Sequence, residues 1–142
     1  MNERVIRILE FDKIIKKLTG MCASELGKEL SEKLRPQKDA ALISRMLKET
    51  TDAVDFILRR GSPPLGGLHD IRGSLRRVEL GSTLNPGELL RISDTLRAVR
   101  NLKNYSAIAD KQENEDSNYI SNLIASLEPN KRIEDKISMA IV

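Results

Sequence analysis

The stretch ISRMLKETTDAVDFILRRG, residues 43 to 61, decides the fold predicted for this chain. Its apolar residues recur at steps of three and four over about five turns, which is the spacing of one face of an α-helix. Asp55 and Arg59 stand four residues apart, where their side chains pair on a helix surface. The stretch ends on two arginines and Gly61, which suit the last turn of a helix. It therefore predicts a long amphipathic helix, capped by Asp39 at its start.

Upstream of this helix the same spacing predicts two more. Residues 5 to 18 carry an apolar face, and Gly20 is expected to end that first helix. Ser24 is expected to cap the second helix, which stops before Pro36 because the residue before a proline avoids helical geometry.

Downstream, two segments carry cap residues. Asp70 is expected to cap a short helix that closes at Gly81. The segment NPGE, residues 85 to 88, combines a cap residue, a proline at the first helical position and a glutamate three residues after the cap. It predicts the start of a helix that extends to about residue 104.

The remaining residues complete an all-α pattern. Residues 110 to 118 are polar and without periodicity, which predicts a loop or a frayed helix end. Helical spacing returns from Ile120 and again from Ile133, and the second apolar face continues to Val142 without a stop signal, as if the chain were a piece cut inside a helix. No alternating β-branched run occurs. The sequence therefore predicts an irregular bundle of about six to seven helices.

Composition limits the possible functions. The chain has 142 residues and a net charge of +3, so we expect one compact domain, or a piece of one, with weak attraction for polyanions. Two phenylalanines and two tyrosines offer little for stacking single-stranded bases. One cysteine and one histidine exclude a disulfide framework and a four-ligand zinc site. Without a long apolar run or a secretory signal, the sequence predicts a cytoplasmic protein.

Motifs for catalysis are incomplete. The Gly-Lys pair at 27–28 is not part of a phosphate loop, because Cys22 and Glu29 stand where glycine and a hydroxyl residue are needed. Cys22 itself is either a thiol activated by a helix start or, as we prefer, a small buried apolar residue. His69 beside Asp70 resembles an acid–base pair, but no nucleophile is near and the cap role suits Asp70 better. We therefore predict no catalytic, cofactor or metal site.

Basic residues on the predicted helix from Pro86 suggest one hypothesis about nucleic acid. Arg97, Arg100 and Lys103 lie on neighbouring turns and are candidates to contact phosphates. A solvated mixed-charge face is favoured because the net charge is small. The narrow apolar stripes also suit a partner helix. A self-contained helical interaction module with no nucleic-acid role is therefore the alternative function.

Five segments carry a family resemblance. DIRGSLRRVELGSTLNPGELLRISDTL, residues 70 to 96, resembles the core-domain segment of the MutS family. The N-terminus of the second bacterial MutS branch, the paralogue with a C-terminal Smr nuclease domain, is similar to LEFDKI (9–14), SELGKEL (24–30), LRP (34–36) and PPLGGLHDIR (63–72). Together the likeness spans nearly all of residues 5 to 103.

The resemblance implies an organisation and a function. Residues 1–104 would form the start of a MutS-type core domain, and residues 105–142 the start of lever-type helices. This fragment would be a non-catalytic structural and transmitting segment. The parent would be a homodimeric ATPase and Smr-type endonuclease that uses ATP and Mg. Its partners would be branched DNA, for recombination suppression or DNA repair, or the ribosome.

The same resemblance assigns a structural elbow to the loop and short helix before the NPGE segment. Glycines would supply backbone shapes that other residues resist, and prolines would stiffen the approach. The family often has an arginine three residues after the aspartate, where this chain has Gly73. The predicted elbow residues are Pro63, Pro64, Gly66, Gly67, Asp70, Arg77 and Gly81.

Overall fold

The computed structural model describes residues 3–109 and 118–141 of the chain. Within these residues there are eight α-helices and no strand, which confirms the predicted all-α fold. The predicted loop at 110–118 lies outside the described residues except for its last position. The helices are α1 (Glu3–Ile8), α2 (Phe11–Met21), α3 (Glu25–Glu32), α4 (Ala40–Arg60), α5 (Arg72–Glu79), α6 (Pro86–Ala109), α7 (Tyr119–Ala125) and α8 (Lys131–Ala140).

The first predicted helix is divided in two by Glu10. This residue adopts the left-handed conformation, with φ 52° and ψ 32°. A right-handed helix cannot continue through a residue in that conformation. α2 then passes through Gly20 and ends at Met21, so the predicted end at Gly20 is wrong. The break explains why residues 3–109 and 118–141 form more helices than the apolar spacing predicts, because that spacing continues across Glu10.

Several predicted helix ends are confirmed. Ser24 Oγ accepts a hydrogen bond from the backbone N–H of Gly27 at 3.1 Å, and α3 begins after it. Asp39 Oδ1 accepts from Ala41 N at 2.8 Å, which satisfies a free amide at the start of α4. Gly61 ends α4 with φ 79°, a conformation that favours glycine.

The start of α6 is a reciprocal capping box. Glu88 N donates to Asn85 Oδ1 at 2.9 Å, and Asn85 N donates to Glu88 Oε2 at 3.0 Å. The helix continues beyond the predicted residue 104 to Ala109. By contrast, α8 ends at Ala140 because Ile141 is extended, so the predicted helical face stops before Ile141, and Val142 lies outside the described residues.

The buried side chains gather around α6. This helix packs against α7 and α8, α4 packs against α7, and α2 packs against α1 and α3. Phe56 of α4 is 3% exposed and meets the Tyr105 ring edge-on at 5.8 Å between centroids. The Arg60 guanidinium lies 4.7 Å above the Phe56 ring centre. No helix in the described part of the chain is long and apolar enough to cross a bilayer.

Candidate functional site

The elbow, residues 61–81, is fastened to α6 at three places. As residue numbers rise along the elbow they fall along α6, so the elbow runs antiparallel to that helix. Side chains provide these bonds, which fix the loop against one rigid element. The bonds run from Tyr105 Oη to Gly61 O (2.5 Å), from His69 N to Thr95 Oγ1 (3.1 Å) and from Arg77 Nη1 to Glu88 Oε1 (2.5 Å).

Two adjacent glycines of the elbow differ in their surroundings. Gly67 has φ 84°, and a Cβ added there would lie 3.4 Å from Asp94 O of α6. A Cβ on Gly66 would meet open space. Before them, Leu65 N donates to Pro63 O at 2.9 Å, which makes a tight turn. Of the two glycines, Gly67 is therefore the one with a positive φ and the one that contacts α6.

Asp70 does not cap α5 as predicted. The cap position is Ile71, and Asp70 Oδ1 accepts from the backbone and Nε of Arg72, at 3.1 Å and 2.9 Å. Arg72 thus forms a local ion pair with Asp70. In the family pattern the arginine stands one residue later, at the position of Gly73. These bonds lower the pKa of Asp70 to about 2. Arg72 Nη2 also reaches Glu29 Oε2 of α3 at 2.5 Å, which ties α3 to the elbow.

The elbow closes at Gly81. This glycine has φ 80°, and Ser82 N donates to Arg77 O at 2.9 Å, the bond of a Schellman motif. Arg77 also contacts Glu88, which belongs to the capping box of α6. The end of α5 and the start of α6 therefore share one carboxylate.

The predicted phosphate-contacting arginines lie together on α6, but both reach a buried carboxylate on α8. Arg100 donates to Glu134 through Nε at 3.0 Å and Nη2 at 2.8 Å, and Arg97 Nε approaches the same carboxylate at 3.4 Å. The Glu134 side chain is 7% exposed. The hydrogen bond from Arg100, followed by the weaker one from Arg97, lowers the pKa of Glu134 against the opposing effect of burial.

Lys103 is directed to α7. Its Nζ donates to Ala125 O at 2.5 Å and to Leu127 O at 2.8 Å, carbonyls at the end of that helix. The three cations of α6 therefore join α6 to α7 and α8, and their predicted role toward nucleic acid stays a prediction. Sequence reasoning missed Glu134. The sequence pattern that could have indicated it is an acidic residue on the apolar face of α8, next to Ile133 and three residues before Ile137.

Known proteins resemble this chain closely. It is 58% identical over 142 residues to endonuclease MutS2 of Acetivibrio thermocellus and 53% identical over 142 residues to endonuclease MutS2 of Ruminiclostridium cellulolyticum. Each alignment covers 100% of the chain and 18% of the relative. The chain is a MutS2-family segment. No protein-family model matches it.

A third relative aligns with only part of the segment. The putative endonuclease MutS2 of Bacillus subtilis is 44% identical over 105 residues, which are 74% of the segment and 13% of that protein. The segment spans 18% of the length of the first two curated relatives, so their names describe much longer proteins. The predicted division of the MutS2-family segment at residue 104 falls inside α6 and stays a prediction.

The remaining reactive side chains of the MutS2-family segment have structural partners. His69 Nε2 lies 3.7 Å from Asp94 Oδ2 and is not paired with Asp70, whose carboxylate is occupied by Arg72. Cys22 is at the end of α2, where its thiol donates to Leu18 O at 3.3 Å, so it does not sit at the start of α3. Among the described residues no group of three or more His, Cys, Asp or Glu is placed to hold a metal ion.

Proposed function

We propose that this segment is a stiff, non-catalytic connector that transmits conformational change within a longer MutS2-type protein. The observation that carries the proposal is the set of side-chain bonds along α6, which join it to the elbow, α7 and α8. A helix held at many points by packed neighbours moves with them as one body. The relatives' name supports an endonuclease as the longer protein.

For that longer protein we propose the functions implied by the family resemblance. It is an ATP- and Mg-dependent homodimer that binds branched DNA or the ribosome, with ATPase and Smr-type nuclease domains beyond this segment. Recombination suppression and DNA repair are the processes it serves. The role of the present residues is to keep the geometry between nucleotide-binding and nucleic-acid-binding parts, and none of their side chains takes part in a bond-breaking step.

The test compares two variants of the full-length protein. Glu134→Gln removes the negative charge that binds Arg97 and Arg100, whereas Glu128→Gln removes an exposed charge between α7 and α8. We expect nucleic acid to change the ATPase rate of the wild type and of Glu128→Gln. Glu134→Gln should keep the basal rate and lose most of that response. If its response equals that of the wild type, the connector role is wrong.

Exposed apolar residues favour the second candidate, a helical interaction module. Leu47 is 63% exposed and Leu58 is 78% exposed, both on α4. Three turns separate them on one helix, a spacing that suits a partner helix. A salt-dependent gel shift decides between the candidates. If the full-length wild type binds neither DNA nor RNA at low salt, the interaction module replaces the first proposal.

A further inference from the structure

The cleft between α2 and α3 is lined by several cations. It has a volume of about 830 Å³. Four cations and two carboxylates line it, so the charge of the lining is positive. Phe11 and Ile15 provide apolar surface between them. The charged residues are Arg7, Asp12, Lys16, Lys28, Glu32 and Arg35.

These cations differ from those of α6 in what they bind. Arg97, Arg100 and Lys103 already contact α7 and α8. Lys16 and Lys28, by contrast, make no ion pair within the described residues, and the same is true of Arg7. The cleft therefore holds cations whose donors are available to a ligand.

Arg35 is fixed at one end of the cleft. Its Nη1 donates to Glu32 O and to Leu34 O, each at 2.8 Å, and the rest of its guanidinium carries further N–H donors. The fork of arginine matches the oxygens of a phosphate, and lysine serves as a point charge for the same group. The donor set of the cleft thus suits phosphate oxygens.

The arrangement favours a polyanion over a single ion. From Phe11 to Gly20 the α2 wall is about 14 Å long, a length over which one strand of a duplex carries about four phosphates. Asp12 and Glu32 reduce the attraction for one isolated anion. A backbone that meets several cations at once gains from each of them.

We propose that this cleft binds the phosphodiester backbone of a nucleic acid through Lys16, Lys28, Arg7 and Arg35. The inference rests on the proposed nucleic-acid binding of the longer protein and adds a contact surface to it. Because phosphates carry no sequence information, the contacts position the nucleic acid and do not select a sequence. The shared chemistry of DNA and RNA is the backbone.

The test uses the full-length protein and two matched double variants. K16Q/K28Q removes two cleft cations, and K13Q/K33Q removes two exposed lysines of the same helical hairpin that pair with Glu10 and Glu29 outside the cleft. Binding of a branched DNA is measured over a series of salt concentrations. K16Q/K28Q should make the plot of log association constant against log salt concentration less steep, by about 2 in the size of its slope. K13Q/K33Q should leave the slope near the wild-type value.

An RNA of the same sequence forms the second arm of the test. A reduced slope with DNA, with RNA or with both supports the cleft as a backbone site and identifies which nucleic acid it takes. Equal slopes for K16Q/K28Q and the wild type on both ligands overturn the inference while the proposed function stands. A wild type that binds neither ligand overturns both. Circular dichroism melting of each variant confirms that the helices are folded.

Discussion

At the scale of single residues, the two adjacent glycines of the elbow differ in backbone conformation and in surroundings. Gly67 has φ 84° and lies against Asp94 of α6, whereas Gly66 faces open space. We expect Gly67→Ala to lower the free energy of unfolding by about 1–2 kcal/mol, because an L-residue is strained at positive φ. Gly66→Ala is the control and should change it by less than about 0.5 kcal/mol. Urea unfolding measures both, and equal effects would contradict the positive φ of Gly67.

The buried carboxylate of α8 gives a second prediction. Glu134→Gln keeps the size of the side chain but removes the charge that Arg97 and Arg100 bind. We expect a loss of about 2 kcal/mol in the free energy of unfolding, since hydrogen bonds to charged groups are among the stronger ones. Glu128→Gln, at an exposed position, serves as the control and should be near neutral. A neutral Glu134→Gln would mean that the junction of α6 and α8 does not depend on this pair.

The acidic groups of the elbow and of α8 predict how stability changes with pH. Arg72 lowers the pKa of Asp70 from 3.8 to about 2, and Arg100 lowers that of Glu134 from its ordinary value of 4.5. A carboxyl group whose pKa is lower in the folded state stabilises the fold at pH values above its pKa in the unfolded chain. This contribution is lost as the pH falls through the folded-state pKa. The chain should therefore lose stability as the pH falls below 4.5.

Asp70→Asn isolates one part of this pH dependence. In the wild type the contribution of Asp70 disappears as the pH falls from 3.8 to about 2. The variant lacks the titrating group, so its melting temperature should depend less on pH over that interval. Melting curves recorded by circular dichroism at several pH values test this. Identical curves for variant and wild type would show that the pair with Arg72 does not form.

At the scale of elements, helix starts that depend on nearby residues were predictable. Ser24, Asp39 and Asn85 each bind a backbone N–H two or three residues ahead, so a short stretch of sequence contains the whole interaction. The same locality gives the all-α fold, because apolar spacing is a local pattern. The functional roles of the elbow residues stay predictions.

Two features of the structure could not be predicted from the sequence, for physical reasons. The left-handed conformation of Glu10 interrupts a run whose apolar spacing continues across it, so the spacing predicts one helix where there are two. The pair of Arg100 with Glu134 joins residues 34 positions apart, and its formation depends on how α6 and α8 pack. The nucleic-acid hypothesis for Arg97, Arg100 and Lys103 rests on their spacing along α6. That spacing does not reveal that their acceptors lie on α8 and at the end of α7.

The capping box of α6 predicts an element-scale effect. Asn85→Ala removes the acceptor for Glu88 N and leaves the first turn of α6 with an unsatisfied amide. We expect the free energy of unfolding to fall by about 1 kcal/mol. Asn101→Ala, in the exposed middle of the same helix, should be neutral or slightly stabilising because alanine favours helix. Chemical denaturation compares the two, and a loss only in Asn101→Ala would refute the role of the cap.

At the scale of the whole molecule, α6 is the element that joins α5, the elbow, α7 and α8. Its first turn contacts α5, its middle contacts the elbow and α8, and its later turns contact α7 and the end of α4. Because separate contacts hold each of these elements, we expect α5 to α7 to keep their positions on α6 while the longer protein changes state.

The most direct test is a distance measurement in the full-length protein. Spin labels at exposed Glu79 in α5 and Asn122 in α7 lie toward opposite ends of α6, and pulsed electron resonance reports the distance between them with ATP, with ADP and without nucleotide. A stiff connector gives the same distance in all three states. A nucleotide-dependent change of about 5 Å, one helical turn, would contradict the stiff connector.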